Sequence, residues 1–212
     1  MKLLTDKIEF PSVDEANDYG ILAVGGDLSI ERLKLAYQSG IFPWYEEGQP
    51  IVWYSPDPRM ILFPENLCVS KSMRKVLRTN QFRVTWNVAF EEVVTNCKQI
   101  DRTAQGELGT WITEDMKWAY LNLHKVGIAH SIEVWEGNEL VGGLYGVAVG
   151  KVFCGESMFS KVSNASKVAF IHLAQSQKYK LIDCQIYNDH LASLGAEEIP
   201  REWFMELLLN NA

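Results

Sequence analysis

Between Glu139 and Lys151 the chain carries no charge, and Leu140 to Gly150 is apolar except for the hydroxyl of Tyr145. Such a segment has to be buried, yet it falls well short of the ~20 residues of a membrane-spanning helix. Its internal glycines, Gly142, Gly143 and Gly146, disfavour a helix. They suit a strand to which a ligand or another backbone comes close. The flanking sequence extends that strand into a sheet. Ala129 to Trp135 precedes it across a Glu136-Gly137-Asn138 turn, and Val152 to Cys154 follows a Gly150-Lys151 turn. Upstream, Ser70 starts a helix through about Arg78, and Phe82, Val84 and Trp86 alternate as a strand. Asn87 caps a helix with Val88, Val94 and Cys97 inward, and Thr113 caps another that Gly127 stops. Downstream the pattern predicts a helix from about Asn164 to Gln175 and a strand from Lys180 to Ile186. A short helical turn ends at Gly195, and an amphipathic helix follows Pro200 (Trp203, Phe204, Leu207, Leu208). Meandering strands, then helix, then strand, predict a central mixed sheet flanked by helices, an α+β (mixed α/β) chain.

The first sixty residues have a different texture. They hold five of the seven prolines and one clear helix, capped by Ser29, striped by Ile30, Leu33, Ala36 and Tyr37, and ended by Gly40. Pro56 and Pro58 forbid regular structure in Trp53 to Arg59. With 212 residues, 47% of them hydrophobic, the chain can bury one sizeable core and a small appended one. The expected division is residues 1–62 and 63–212.

Charge and cysteine usage exclude several roles. Lys and Arg number 20 against 27 Asp and Glu, a net charge of -7, whereas a protein that coats DNA non-specifically is basic. Cys68, Cys97, Cys154 and Cys184 lie far apart, with neither a Cys-x-x-Cys nor a His at ligand spacing, so they read as reduced, mostly buried small hydrophobes and no metal is expected. The N-terminus, with Lys2, Asp6, Lys7 and Glu9, shows no signal-peptide pattern. The expectation is a cytoplasmic chain with no membrane contact.

The charges are unevenly placed. No Asp or Glu occurs from Asn66 to Phe90, while Lys71, Arg74, Lys75, Arg78 and Arg83 do. With a net -7 overall, the rest of the chain carries -12. Residues 71, 74, 75 and 78 share one helix face at i, i+3, i+4, i+7 spacing. Alone, this reads as a solvated face; the functional reading is a clamp on a nucleic-acid backbone. Of the seven tryptophans, Trp44 ends Gly40-Ile41-Phe42-Pro43-Trp44 and Trp111 lies in Gly109 to Thr113. Indoles on irregular segments either fill a gap between domains or serve as platforms on which a base stacks. A polar group closes the apolar strands: Gly155 to Ser160 includes Glu156, and Asp183, Gln185 and Asn188 follow Leu181-Ile182. On a regular strand Asp183 and Gln185 point to one side and Ile182 and Cys184 to the other. Buried polar groups of this kind form either a structural network or a site where Asp183 and Gln185 orient a reacting amine and Glu156 adds negative charge. Gly-x-Ser-x-Gly, His-Glu-x-x-His and phosphate-loop motifs are absent, and only His190 lies near this strand.

Eight segments together carry a resemblance. Gly25-Gly26-Asp27-Leu28-Ser29, Gly40 to Trp44, Trp53 to Arg59, Gly109 to Thr113, His130 to Trp135, Phe153 to Ser160, Asn164 to Lys167 and Leu181 to Gly195 are similar, in order and spacing from about residue 8 to 206, to the leucyl/phenylalanyl-tRNA–protein transferases. The resemblance implies a small N-terminal domain before an acetyltransferase-like domain. It implies transfer of Leu or Phe, less well Met, from aminoacyl-tRNA to the α-amine of proteins beginning with Arg or Lys, marking them for N-end rule degradation in the bacterial cytoplasm. No cofactor is implied, and a monomer is expected. By position, Trp44 and Trp111 match the tryptophans that hold the 3′-terminal adenosine. Asp183 and Gln185 match the proposed catalytic pair, and Glu156 and Asn188 complete the polar site. Lys71, Arg74, Lys75 and Arg78 match the face for the tRNA acceptor stem.

Chemistry refines this expectation. Aminolysis of an ester is downhill and needs mainly positioning and a neutral amine, and an α-amine with a pKa near ~7.7 supplies the latter. A neutral amide is a poor base, so the carbonyl oxygen of Gln185 is expected to align the amine while Asp183 orients the amide. Glu156 and Asp183 are expected to form the negative site that favours a cationic N-terminal residue, and Phe153, Met158, Phe170 and Ile182 to line the slot for the donor side chain. Two alternatives remain: a CoA-dependent N-acyltransferase, for which no Arg or Gln has the required Gly three residues on, and a non-catalytic tRNA-binding module, which leaves Glu156, Asp183 and Gln185 without a purpose.

Overall fold

The computed structural model describes residues 2–99 and 112–211. A small sheet begins with β1 (Lys2–Leu4) and β2 (Ile21–Gly25), which run parallel. Helix α1 (Ile30–Gln38) follows, its N-terminus closed by Ser29, whose hydroxyl accepts from the Arg32 amide at 3.3 Å. Gly40 ends it at φ +70°, where an added Cβ would lie 2.5 Å from the Met205 sulfur. Strands β3 (Phe42–Pro43) and β4 (Val52–Tyr54) complete the sheet in the order β1-β2-β4-β3.

The prolines stay in the connection at 55–58, and the next residue already opens β5 (Arg59–Leu62), a strand of the larger sheet. The boundary expected near residue 62 thus falls at the far end of that strand, because the chain passes between the sheets before Arg59. Next come α2 (Lys71–Arg78), β6 (Arg83–Trp86), α3 (Phe90–Gln99) and α4 (Glu114–Lys125). The meander follows as β7 (Ala129–Glu136), β8 (Glu139–Val149) and β9 (Val152–Ser160). The chain closes with α5 (Ala165–Gln175), β10 (Leu181–Gln185), α6 (Asp189–Ala192), β11 (Glu197–Ile199) and α7 (Arg201–Asn211). Ser70 and Thr113 cap α2 and α4 through their hydroxyls, as their sequence positions predict.

The larger sheet runs β11-β5-β10-β9-β8-β7-β6, with β9 and β10 parallel and every other neighbouring pair antiparallel. It is the mixed sheet flanked by helices that the pattern predicts. The glycines of β8 explain how close the layers lie. A Cβ on Gly142 would sit 2.5 Å from the Ala165 methyl of α5, one on Gly143 would sit 3.3 Å from Val93 of α3, and one on Gly146 would overlap the Cys154 carbonyl oxygen. They admit helices and a neighbouring strand. One face of the sheet packs on α5 through Leu144, Val168, Phe170 and Ile171. The other joins α3 and α4 to the small sheet through Leu22, Leu33, Trp53, Val93, Tyr120 and Phe159, one continuous core across both sheets.

Three local expectations change. Asn87 does not cap α3: at φ +59° its side chain turns back to the Ser131 amide and the His130 ring. Val88 is consequently 68% exposed, while Val94 and Cys97 are buried. Strand β9 continues past Cys154 to Ser160, so the polar run around Glu156 lies on a strand rather than after it. And β10 is bulged: Asp183 faces Ile61 and Gln185 faces Met60, which leaves Cys184 as the extra residue, with Gln185 at φ +65°.

Candidate active site

At the C-terminal end of β10, beside β9, lies a cavity of about 420 Å³. Because β9 and β10 are parallel neighbours, Asp183 pairs in register with Cys154, and the next residues of both strands open onto the same space. Phe153 and Met158 of β9, Ile182 of β10 and Phe170 of α5 line it together with Leu144 and Leu173, which gives the cavity an apolar wall. Trp44, immediately after β3 and 39% exposed, closes one side, its ring tilted on Tyr54 at 5.6 Å. Asn188 also lines the cavity. Its side-chain oxygen accepts from the Leu191 amide as the cap of α6. Trp111 lies outside the described residues.

Glu156, Gln185 and Asp183 line the polar end. Glu156 is buried. One carboxylate oxygen accepts from the Gln185 amide nitrogen at 2.9 Å and the other from the Tyr120 hydroxyl at 2.6 Å, and that hydroxyl lies 2.6 Å from the hydroxyl of Tyr37 on α1. Burial pushes the carboxyl up from 4.5 to about 7, against the lowering effect of the Tyr120 and Tyr37 hydroxyls. Burial likewise holds both phenols protonated, well above the usual tyrosine range. Glu156 therefore exchanges its proton near neutrality while two tyrosines and an amide fix its orientation.

Asp183 has a different partner from the one expected. It is fully buried, and both carboxylate oxygens receive the guanidinium of Arg59, Nε at 2.8 Å and Nη2 at 2.7 Å. Its charge is matched within the fold, so Glu156 and Asp183 together are not a free negative site for a cation. Nor does Asp183 hold the Gln185 side chain. It accepts the Gln185 backbone N–H at 2.9 Å, and Glu156 orients the amide. A carboxylate only accepts, so the NH2 of Gln185 faces Glu156 and the carbonyl oxygen is the end not engaged by it.

Lys71, Arg74, Lys75 and Arg78 lie on α2, outside the lining of the cavity, and all four are exposed at the helix surface. Nothing in the sequence pattern marks Arg59, Tyr37 or Tyr120 as site residues. Tyr37 reads as a helix stripe residue and Arg59 as the end of a turn, and nothing local marks Tyr120. His190 lines the cavity, and its Nε2 is buried without a hydrogen-bond partner. Among the described residues no three His, Cys, Asp or Glu converge as a metal site.

The family model described as leucyl/phenylalanyl-tRNA protein transferase matches residues 61–209, and the model of that family's N-terminal domain matches residues 26–57. A leucyl/phenylalanyl-tRNA–protein transferase of Flavobacterium johnsoniae is 60% identical over 98% of this chain and 99% of its own. Transferases of the same name from Christiangramia forsetii and Shigella dysenteriae are 56% and 52% identical, covering 99% and 98% of this chain and 100% and 89% of theirs. Among solved structures, a GCN5-related N-acetyltransferase from Kribbella flavida aligns with a TM-score of 0.36 at 10% identity, over 76% of this chain and 58% of that one.

Proposed function

The chain belongs to the leucyl/phenylalanyl-tRNA–protein transferase family, and from that premise we propose how the cavity beside β10 performs the reaction. The protein is an aminoacyltransferase that moves Leu or Phe from aminoacyl-tRNA to protein. In our reading the acceptor is the α-amine of a protein beginning with Arg or Lys, Met is a poorer donor, and the product enters N-end rule degradation in the cytoplasm. Among the described residues no helix is long and apolar enough to cross a membrane. The observation that carries the reading is that one cavity has an apolar wall at Phe153, Met158, Phe170 and Ile182 and a polar end at Glu156 and Gln185.

The donor's Leu or Phe side chain fills the apolar wall. Its terminal adenosine stacks on Trp44 and, beyond the described residues, on Trp111. The tRNA acceptor stem lies along Lys71, Arg74, Lys75 and Arg78, where phosphate contacts position without reading sequence. The ester carbonyl then lies at the polar end, near Asn188.

The attacking amine loses a proton, its nitrogen bonds to the ester carbonyl carbon, and the bond from that carbon to the ribose 3′ oxygen breaks. The oxygen leaves as a hydroxyl, so one proton passes from amine to alcohol. Glu156, whose carboxyl sits near neutrality, takes and returns that proton, while the Gln185 carbonyl oxygen aligns the amine. Asp183, paired to Arg59, acts on Gln185 rather than on substrate.

Transfer of radiolabelled Leu from Leu-tRNA to a protein beginning with Arg, beside the same protein beginning with Ala, tests this reading. Labelling of the Arg substrate alone is expected. Equal labelling would overturn the acceptor assignment. No labelling with tRNA still bound would favour the binding module.

A further inference from the structure

Arg59 is 1% exposed and lies between the two sheets. Its Nη1 donates to the Gly40 carbonyl at 3.2 Å, and its guanidinium carbon lies 4.9 Å and 4.6 Å from the rings of Phe42 and Phe204. The loop after α1, β3 and α7 thus hold it on one side, and the carboxylate of Asp183 holds it on the other. A buried ion pair is weak evidence for stability, because an apolar pair of similar volume often serves as well. A bidentate pair does what an apolar one cannot: it fixes the rotamer and direction of the carboxylate.

That direction matters to Gln185. Asp183 Oδ1, which receives Arg59 Nε, also accepts the Gln185 N–H across the Cys184 bulge. Gln185 sits there at φ +65°, a left-handed region that a non-glycine residue keeps only when its surroundings hold it. From this backbone its Nε2 reaches Glu156. An unbroken set of hydrogen bonds therefore runs from the guanidinium to the carboxyl at the polar end of the cavity.

We propose that Arg59 is a positioning residue for the transfer reaction: by clamping Asp183 it holds the bulge at Cys184 and so aims the Gln185 amide at Glu156 and the reacting ester. The proposal rests on the reading that Gln185 and Glu156 serve the reaction. It has an electrostatic corollary. The groups that face Glu156 are Tyr37 from α1, Tyr120 from α4, Cys154 from its own strand, Asp183 and Gln185 from β10, and Arg59 from β5. The Asp183 charge raises the Glu156 carboxyl, and Arg59 offsets that charge. Removing the guanidinium therefore moves Glu156 higher, and the acid limb of the kcat profile moves to higher pH.

The test measures Leu transfer to an Arg-initiated protein, with thermal unfolding and tRNA binding in parallel. The variants are Arg59→Lys, Arg59→Gln, Arg59→Gln combined with Asp183→Asn, and Gln185→Ala. A misplacement of about 1 Å costs about a hundredfold in rate, so Arg59→Lys, which keeps the charge but loses the bidentate fork, should lower kcat by about ten- to a hundredfold at an unchanged KM for Leu-tRNA, and Arg59→Gln, which also removes the charge, should in addition displace the acid limb upward. The double variant carries neither charge, and the carboxamide oxygen introduced by Asp183→Asn can still accept the Gln185 N–H. It should recover about tenfold over Arg59→Gln. A folded Arg59→Lys with the parental kcat profile overturns the proposal. So does a loss in Arg59→Gln without pH displacement and without recovery in the double variant, which marks a structural role only. If Gln185→Ala keeps full activity, the reading of the site fails and the proposal with it. If Gln185→Ala is inactive and the Arg59 variants are normal, only the proposal fails.

Discussion

Replacing Glu156 with Gln should stabilise this protein above neutral pH while abolishing its chemistry. Burial pushes the Glu156 carboxyl from 4.5 to about 7. At 1.36 kcal/mol for each tenfold change in proton affinity, keeping the buried carboxylate ionised above pH 7 costs the fold about 3 kcal/mol. In the unfolded chain the same group gives up its proton near its ordinary value, so between there and about pH 7 the folded protein binds the extra proton. Stability therefore falls as pH rises through that window and levels off above it. The amide introduced by Glu156→Gln never ionises, so the variant's advantage over the parent should be near zero at about pH 4.5 and grow to about 3 kcal/mol by about pH 8. Other titrating groups, such as Asp27 and His130, act equally in both proteins and cancel in the difference. Activity moves the other way. The carbonyl of the substituted side chain still accepts from Tyr120, but its NH2 then meets the NH2 of Gln185. The Gln185 amide must flip and turn a donor toward the substrate. Urea midpoints of both proteins between pH 5 and 8, beside transfer rates, measure both effects. A stability difference that stays flat across that range refutes the argument that this carboxyl is desolvated. A flipped amide with full activity refutes the role given to its carbonyl oxygen.

Trp44→Ala should weaken aminoacyl-tRNA binding by the ~1–3 kcal/mol of one stacked base, seen as a raised KM with little change in kcat. Reversing charge at Arg74 and Arg78 together should weaken tRNA binding and lower the slope of log affinity against log salt by about 0.7–0.9 for each phosphate that is no longer neutralised, leaving kcat at saturating tRNA unchanged. Gly146→Ala places a methyl against the Cys154 carbonyl oxygen and 2.6 Å from the Phe153 ring. Overpacking of this kind costs about 1–3 kcal/mol, and calorimetry should show a lowered Tm.

Much of the site is legible in the sequence because it consists of residues whose chemistry departs from their surroundings. Acids and amides at the ends of apolar strands, and a tryptophan in a loop, are conspicuous at any level. All of Trp44, Glu156, Asp183, Gln185 and Asn188 line one cavity with Phe153, Met158, Phe170 and Ile182. Their partners are less visible. Tyr37 and Tyr120 sit on helices whose stripes account for them fully, and only folding brings the Tyr120 hydroxyl to within 2.6 Å of both the Tyr37 hydroxyl and Glu156. Alternation along a strand also misleads at Cys184, because a bulge changes the count by one and cannot be read from side-chain type.

Local chemistry, then, determines which segments are strands and helices, where Ser29, Ser70 and Thr113 begin helices, and that the apolar Leu140–Gly150 run lies inside a sheet. Those are properties of neighbours along the chain, and period, capping and turn residues report them. The tertiary structure alone decides the partners and surroundings of each carboxyl. Asp183 and Glu156 are similar acids on adjacent parallel strands. One meets a guanidinium from Arg59, which is 124 residues away in sequence, and stays paired; the other meets phenols and an amide and is pushed to about 7. Desolvation and partner charge act through space, so no pattern along the chain carries them.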